Sequence, residues 1–453
     1  MELINNNQVP EGYKKTEVGV IPEDWEVVPL KDLIDADRRI TYGIVVPGQH
    51  TSNGVPMIRA QDYSRGWVDI EDLYRVSPKI DESYKRSRVI PDDILLTIVG
   101  SVGNLAKVPS GFRNTNITQQ TARLAFNKKA FADFYFNILQ SKLGKNVILN
   151  YTKSGVQPSL NLSDVEKFNL PYPPLREQKA IAQTLSDVDA LIDELDKLIA
   201  KKRNIKTGTM QQLLTGKTRL PGFGEGKGYK KSAIGVIPED WEIEELGSVG
   251  KFKNGINKSS EDFGHGSPFV NLMDVFGVRS ISEVEHLGLV HSNDAEKNVY
   301  NLKEGDVIFI RSSVKPSGVG LTTVIIRDLP DTVYSGFLIR FRDNGTLETD
   351  FKKYCFAEDK FRRNVIANST VSANTNINQD SLKKLALAYP KSSKEQKAIA
   401  QVLSDIDSAI AALEKRRAKT LAIKQGMMQE LLTGMTRLKI ADTYDPITKN
   451  SNG

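Results

Sequence analysis

The chain repeats itself, and that repetition limits what it can fold into more than any other feature. Residues 12–26 read GYKKTEVGVIPEDWE and residues 228–242 read GYKKSAIGVIPEDWE, with three differences in fifteen positions. A longer pair follows: 177–220 (EQKAIAQTLSDVDALIDELDKLIAKKRNIKTGTMQQLLTGKTRL) is answered by 395–438 (EQKAIAQVLSDIDSAIAALEKRRAKTLAIKQGMMQELLTGMTRL). The offsets are 216 and 218 residues, so the 453-residue chain is two tandem halves. Between the matched segments the halves diverge, with traces of a shared frame. Pro91-Asp92-Asp93-Ile94-Leu95-Leu96 stands opposite Glu304-Gly305-Asp306-Val307-Ile308-Phe309, and Ser154-Gly155-Val156-Gln157 opposite Ser369-Thr370-Val371-Ser372. Two like frames around unlike interiors mean either a duplication that drifted or two recognition units on one chassis.

The 177–220 repeat is helical by period. Ile181, Leu185, Val188, Ile192, Leu195 and Ile199 step by four and three, the seam of a coiled coil, and Ile399, Leu403, Ile406, Ile410 and Leu413 repeat it. Arg417 stands where Ile199 stands in the first copy. Pro173-Pro174 precedes the first helix, and Ser392 with Glu395 has capping-box spacing at the second. Gly216 and Gly434 mark the C-terminal stops. Gly208 and Gly426 recur mid-helix, which suggests close helix approach or simple inheritance. The expected closure is antiparallel pairing of the two helices, a rod of roughly 60 Å for forty residues. The alternative is a coiled coil used only for dimerisation.

The intervening regions, near 20–170 and 236–390, read as mixed α/β. Runs at 94–99, 307–310 and 322–326 are strand-like, and 131–143 and 351–363 look like short helices placed alike in both halves. The fold expected is α/β mixed: two domains of α+β type, 1–175 and 217–393, separated by long helices at 176–216 and 394–438, with a polar tail at 439–453. The glycines of 222–228 look phosphate-loop-like but follow no strand and lack Ser/Thr after the lysine, so they read as a linker.

Composition places the chain among globular proteins: 39% hydrophobic, 26% charged, net charge +6, pI about 9.0. A modest positive excess suits a polyanion-binding surface. The lone Cys355 excludes an internal disulfide and points to a reducing cytosol. Residues 1–10 are polar and unlike a signal peptide, and no apolar run reaches the roughly 20 residues of a membrane span. Soluble and cytoplasmic is the expectation. The histidines His50, His265, His286 and His291 have no metal-ligand spacing with Cys355, and no Asn/Asp-Pro-Pro-Tyr/Phe motif for adenine methylation appears. No catalytic constellation is found and no metal is expected.

The repeated wording resembles the specificity subunit of Type I restriction-modification systems. GYKxxxxGxIPxDW before a variable domain stands at 12–25 and 228–241; PPLxEQxxIA stands at 173–182, with EQKAIA at 395–400; LLTGKTRL closes the first copy at 213–220 and LLTGMTRL the second at 431–438. Lys391-Ser392-Ser393-Lys394 departs from Pro174-Leu175-Arg176 and should alter the helix entry only. The resemblance implies two target recognition domains, each reading half of a split asymmetric DNA sequence. It implies helices that set the spacer and dock two modification subunits, and a chain that is not itself an enzyme. The partners would carry S-adenosylmethionine for adenine-N6 methylation, and restriction subunits would use ATP and Mg to cleave DNA lacking the mark, a defence against foreign DNA.

Candidate DNA contacts follow from residue type, since base edges and phosphates are met by Arg, Lys, Asn, Gln, Ser and Thr. In the first domain these are Tyr42, Arg59, Gln61, Ser101, Asn104, Arg113, Gln119, Gln120, Tyr151, Ser154 and Gln157. In the second they are Lys251, Lys253, Asn254, Arg311, Ser312, Ser313, Lys315, Asn374, Thr375 and Asn376. Competing readings are a structural coiled-coil adaptor for proteins only, and a DNA-modifying enzyme with unfamiliar motifs.

Overall fold

A computed structural model describes residues 9–439; residues 1–8, and the polar tail expected at 439–453 beyond Lys439, lie outside the described residues. Two compact units form, one taking the residues up to Leu195 and from Arg416 onward, the other Asp196–Lys415. The boundary falls inside both long helices, Leu175–Leu213 and Ser393–Leu431.

In the first unit a four-stranded sheet runs in the order Thr41–Tyr42, Thr121–Leu124, Ile94–Thr97, Leu105–Lys107, beside a three-stranded sheet of Tyr74–Val76, Val55–Ile58 and Asn116–Ile117. The second unit builds the same centre from Gly250–Asn254, Leu338–Asp343, Val307–Ile310, Thr322–Ile325 and Ser280–Ile281. Ile94–Thr97 and Val307–Ile310 are buried at every position, as expected of central strands that read as continuous apolar runs. The single helices expected at 131–143 and 351–363 are each two: Ala132–Gln140 then Lys142–Tyr151, and Thr349–Cys355 then Asp359–Ala367. Ser141 explains the first break, since its hydroxyl caps Gly144 N at 3.3 Å, and Glu358 caps Phe361 N at 2.9 Å at the second. Apolar periodicity carried across the breaks and hid them.

The repeated words turn out to be the frame. Each long helix ends in a glycine of positive φ, +67° at Gly216 and +71° at Gly434. A Cβ at Gly434 would lie 2.5 Å from Pro22 Cγ, and one at Gly216 would lie 2.4 Å from Pro238 Cγ. The TR that follows supplies a clamp. Arg437 binds Glu177 (2.6 and 2.9 Å) and Asp24 (2.8 and 3.0 Å), and Arg219 binds Glu395 and Asp240 in the same way. One planar fork meeting two carboxylates is geometry only arginine offers. Each guanidinium also lies over a fully buried indole, 5.8 Å from the Trp25 ring and 5.7 Å from Trp241. The capping box at Ser392 is therefore half made: Ser392 Oγ accepts from Glu395 N at 3.4 Å, but the Glu395 carboxylate goes to Arg219.

The hydrogen bonds from Arg437 hold the Asp24 carboxyl below its usual range, and Arg219 does the same to Asp240. A carboxyl depressed by folding stabilises the fold above its unfolded value, and that contribution fades as pH falls through the depressed one. Wild type should therefore exceed Arg437→Met in denaturant midpoint at pH 7, and the gap should narrow below about pH 4. A gap constant from pH 7 to pH 2.5 would refute the assignment.

The two seam stretches are buried where they meet each unit. Ile181 and Leu185 join Leu431 and Leu432 in the first unit's core, and Ile399 and Leu403 join Leu213 and Leu214 in the second's. Ile192, Leu195, Ile199 and Ile410 are buried, while Val188, Ile406, Leu413 and Arg417 are half-buried. In the second unit Lys206 meets Asp407, and Arg203 meets Glu414 at 2.6 Å; in the first, Lys424 meets Asp189 at 2.5 Å. The lysine–aspartate pair thus recurs with the helices exchanged, at the 218-residue offset. The mid-helix glycines are not points of close approach, since a Cβ at Gly208 or Gly426 meets nothing within 4 Å. Gly208→Ala and Gly426→Ala should each raise stability by about 0.5–1 kcal/mol, read as a higher urea midpoint at unchanged slope.

Candidate nucleic-acid interface

In the first unit backbone hydrogen bonds lace four segments together. Ile98 N donates to Gln120 O (2.8 Å), Leu160 N to Ile98 O (2.8 Å), Gly100 N to Pro158 O (3.0 Å), and Gln119 N to Ile44 O (3.0 Å). With the main chain so occupied, the side chains are what remain to meet a ligand. Arg59, Gln61, Ser101, Asn104, Gln119 and Gln120, six residues expected from sequence, line one cavity of about 570 Å³. Ser154 lines an adjoining depression that shares Ser101 and Asn104. Gln157 is exposed, with Nε2 3.7 Å from where a Gly100 Cβ would stand. Distant stretches of sequence have become one surface.

Other residues fall elsewhere. Tyr42 lines a separate depression with Arg38, Arg39 and Arg86, and Arg113 is exposed in a turn. Tyr151 is turned inward: its ring packs 5.4 Å from Phe168 and its hydroxyl donates to Lys167 O at 3.4 Å. Arg59 lines the cavity, yet its Nε and Nη2 bind Asp62 at 3.1 and 2.9 Å and its guanidinium lies 5.6 Å from the Tyr74 ring. A fork so engaged cannot also offer those two donors to a guanine edge.

The second unit repeats the lacing. Arg311 N donates to Phe337 O (2.9 Å), Ile377 N to Arg311 O (2.9 Å), and Gly336 N to Ile256 O (2.8 Å). Ser312 pairs with Asn376 and Ser313 with Thr375 in a small sheet completed by Thr370–Val371. Two segments expected separately from sequence, 311–315 and 374–376, are therefore one site. Thr375 itself is 2% exposed and faces inward, whereas Asn374 and Lys315 are exposed. Lys251, Lys253 and Asn254 lie on Gly250–Asn254, the edge strand of the unit's five-stranded sheet, with Lys253 Nζ 5.6 Å from the Tyr300 ring. These hydrogen bonds place Phe337 where the first unit has Gln120, and residue-type reasoning passed it over. The signal was present: Gln119-Gln120 precede Thr-Ala-Arg123, and Gly336-Phe337 precede Leu-Ile-Arg340. Gly43 and Gly255 were missed too; a Cβ at either would lie within 2.1 Å of a facing carbonyl oxygen.

Cys355 is buried and its burial pushes the thiol pKa up, the opposite of a nucleophile. Among the described residues no group of three or more His, Cys, Asp or Glu is arranged to hold a metal, and no helix is long and apolar enough to cross a membrane.

Comparison with known proteins gives the same picture from outside. The MjaX type I restriction enzyme specificity subunit of Methanocaldococcus jannaschii is 30% identical over 439 residues, covering 95% of this chain and 97% of that protein. The MjaVIII specificity subunit of the same organism is 28% identical over 97% of this chain and 99% of its own length. The crystal structure of a Type I restriction-modification S subunit from M. genitalium shares the fold, with a TM-score of 0.51 at 15% identity, covering 95% of this chain and 98% of that one. Residues 22–206 and 238–422 each match the Type I restriction modification DNA specificity domain. Two laced loop clusters on a duplicated frame, matched twice by that domain, make this chain a member of the Type I restriction-modification specificity subunit family.

Proposed function

We propose that each domain reads one half of a split, asymmetric double-stranded DNA sequence, and that the chain directs modification and restriction carried out by partners in the cytoplasm. The observation that carries this reading is the pair of laced clusters. One backbone arrangement holds Ser101, Asn104, Gln119 and Gln120 in one domain, and Ser312, Ser313, Lys315 and Asn374 in the other. Like frames with unlike side chains are what two different half-sites require. The catalytic work falls to partners: two modification subunits that use S-adenosylmethionine to methylate adenine N6, and restriction subunits that use ATP and Mg to cleave unmarked DNA.

The long helices act as an antiparallel coiled coil that sets the spacer between half-sites and docks the modification subunits. The exchanged Lys206–Asp407 and Lys424–Asp189 pairs support this. Half-sites about 34 Å apart suit two readers on one face of a duplex. Four residues inserted into both helices add about 6 Å to each, or roughly two base pairs. Methylation-sensitive sequencing of DNA from cells holding the chain and its partners tests both statements. A split adenine-methylated motif, with a spacer that lengthens in the insertion variant, is expected. Absence of a split motif would refute DNA reading, and an unchanged spacer would refute the ruler.

A further inference from the structure

We infer that the second domain recognises its half-site through the 5-methyl group of a thymine, received by Phe337 and Val314, where the first domain presents amides. The inference rests on the DNA-reading function proposed above. Matched hydrogen bonds fix the correspondence of the two clusters: Ile98 N to Gln120 O answers Arg311 N to Phe337 O, and Leu160 N to Ile98 O answers Ile377 N to Arg311 O. At that shared position the first domain carries a hydrogen-bonding amide and the second a phenyl ring.

Phe337 is 60% exposed and Val314 is 81% exposed. Phe276, 50% exposed, is at the same cluster: a Cβ on Gly318 would lie 2.3 Å from Ser313 Oγ and 3.2 Å from Phe276 Cε2. Large apolar side chains exposed on one loop cluster mark a binding surface rather than an unfinished core. Gly336, beside Phe337, lies against Asn257: a Cβ there would stand 1.9 Å from Asn257 Oδ1.

The surroundings choose the occupant. Lys315 and Ser313 flank Val314 in the chain, and Ser312 and Ser313 pair with Asn376 and Thr375, next to the exposed Asn374. Protein interfaces deplete lysine and serine, whereas DNA interfaces are polar and basic. On the edge of a base pair in the major groove the thymine methyl is the apolar feature, and contact with apolar side chains is how it is read.

The test uses the complex of this chain with its modification subunits, on duplexes carrying the methylated motif with single thymines replaced by deoxyuridine. At one or more positions, all in one half-site, the replacement should slow methylation about fivefold, the worth of one buried methyl. That thymine preference should vanish in Phe337→Ala/Val314→Ala, persist in Phe337→Leu and persist in Gln120→Ala. Both substituted residues are exposed, so the fold is not at stake. Tolerance of uracil throughout, or a preference unchanged in the double variant, overturns the inference while methylation of the unmodified duplex leaves the DNA-reading function standing. Apolar contact with a partner protein instead would lower the double variant's rate equally on thymine and uracil duplexes. Failure to methylate any split sequence would sink both.

Discussion

Gly434→Ala should destabilise the first unit by about 3 kcal/mol or more, whereas the same change at Gly426, eight residues earlier, should stabilise it. The difference comes from backbone and neighbours, not from the residue. At φ +71° an L side chain pays about 1–2 kcal/mol for the left-handed region. The new methyl would then sit 2.5 and 2.6 Å from the Pro22 ring carbons and 3.1 Å from Trp25 Cζ2. A proline ring has no rotamer by which to withdraw, and Pro22 is held opposite Tyr13 in the hairpin register. Overpacking of this kind costs about 1–3 kcal/mol. The last turn must therefore lift, taking Arg437 from Asp24 and Glu177, and Gly434 O from the Tyr13 hydroxyl. Urea unfolding, with hydrogen exchange followed at 431–437, reads the result. A midpoint within experimental error of wild type, with exchange unaltered there, would show that this junction does not hold the unit closed.

How much of this was legible in the sequence follows from which interactions are local. Helix extent could be read because the apolar step of three and four is written in adjacent turns, and the stops at Gly216 and Gly434 because left-handed φ favours glycine. The role of the repeated words could not. Asp24, Glu177 and Arg437 are scattered over 413 positions and become a clamp only when the chain closes on itself. Strand positions at 94–97 and 307–310 could be read from continuous apolar runs, but the helix breaks at Ser141 and Glu358 were masked by apolar residues on both sides. At the site, choosing polar residue types gathered most of the first cluster but could not show its surroundings. Arg59 is held by Asp62, Tyr151 packs on Phe168, and Phe337, which was not among the residues chosen, stands in solvent. Each of these depends on tertiary partners, which residue type alone does not specify.

Those partners also set the largest functional effect expected. Alanine at Asn104, Gln119 and Gln120 together should cut methylation of the preferred sequence about a thousandfold, with preference relaxed in one half of the motif and intact in the other. Each side chain that reads a base edge is worth about 1–3 kcal/mol, and the three share one cavity, so their losses will combine less than additively. None of the three has a side-chain hydrogen bond that the domain's core depends on, and the loops they sit on are fixed through backbone bonds that alanine leaves in place. Stability should therefore change little. Arg437→Met makes the opposite case: it touches no candidate reading residue and breaks the clamp, so it should lower methylation of all sequences alike. Selection of preferred sites from a randomised duplex pool, using each variant in complex with its partners, separates these outcomes. Equal relaxation of both halves in the triple variant would mean that the cavity supports the complex generally, and that the bases are read elsewhere on the domain.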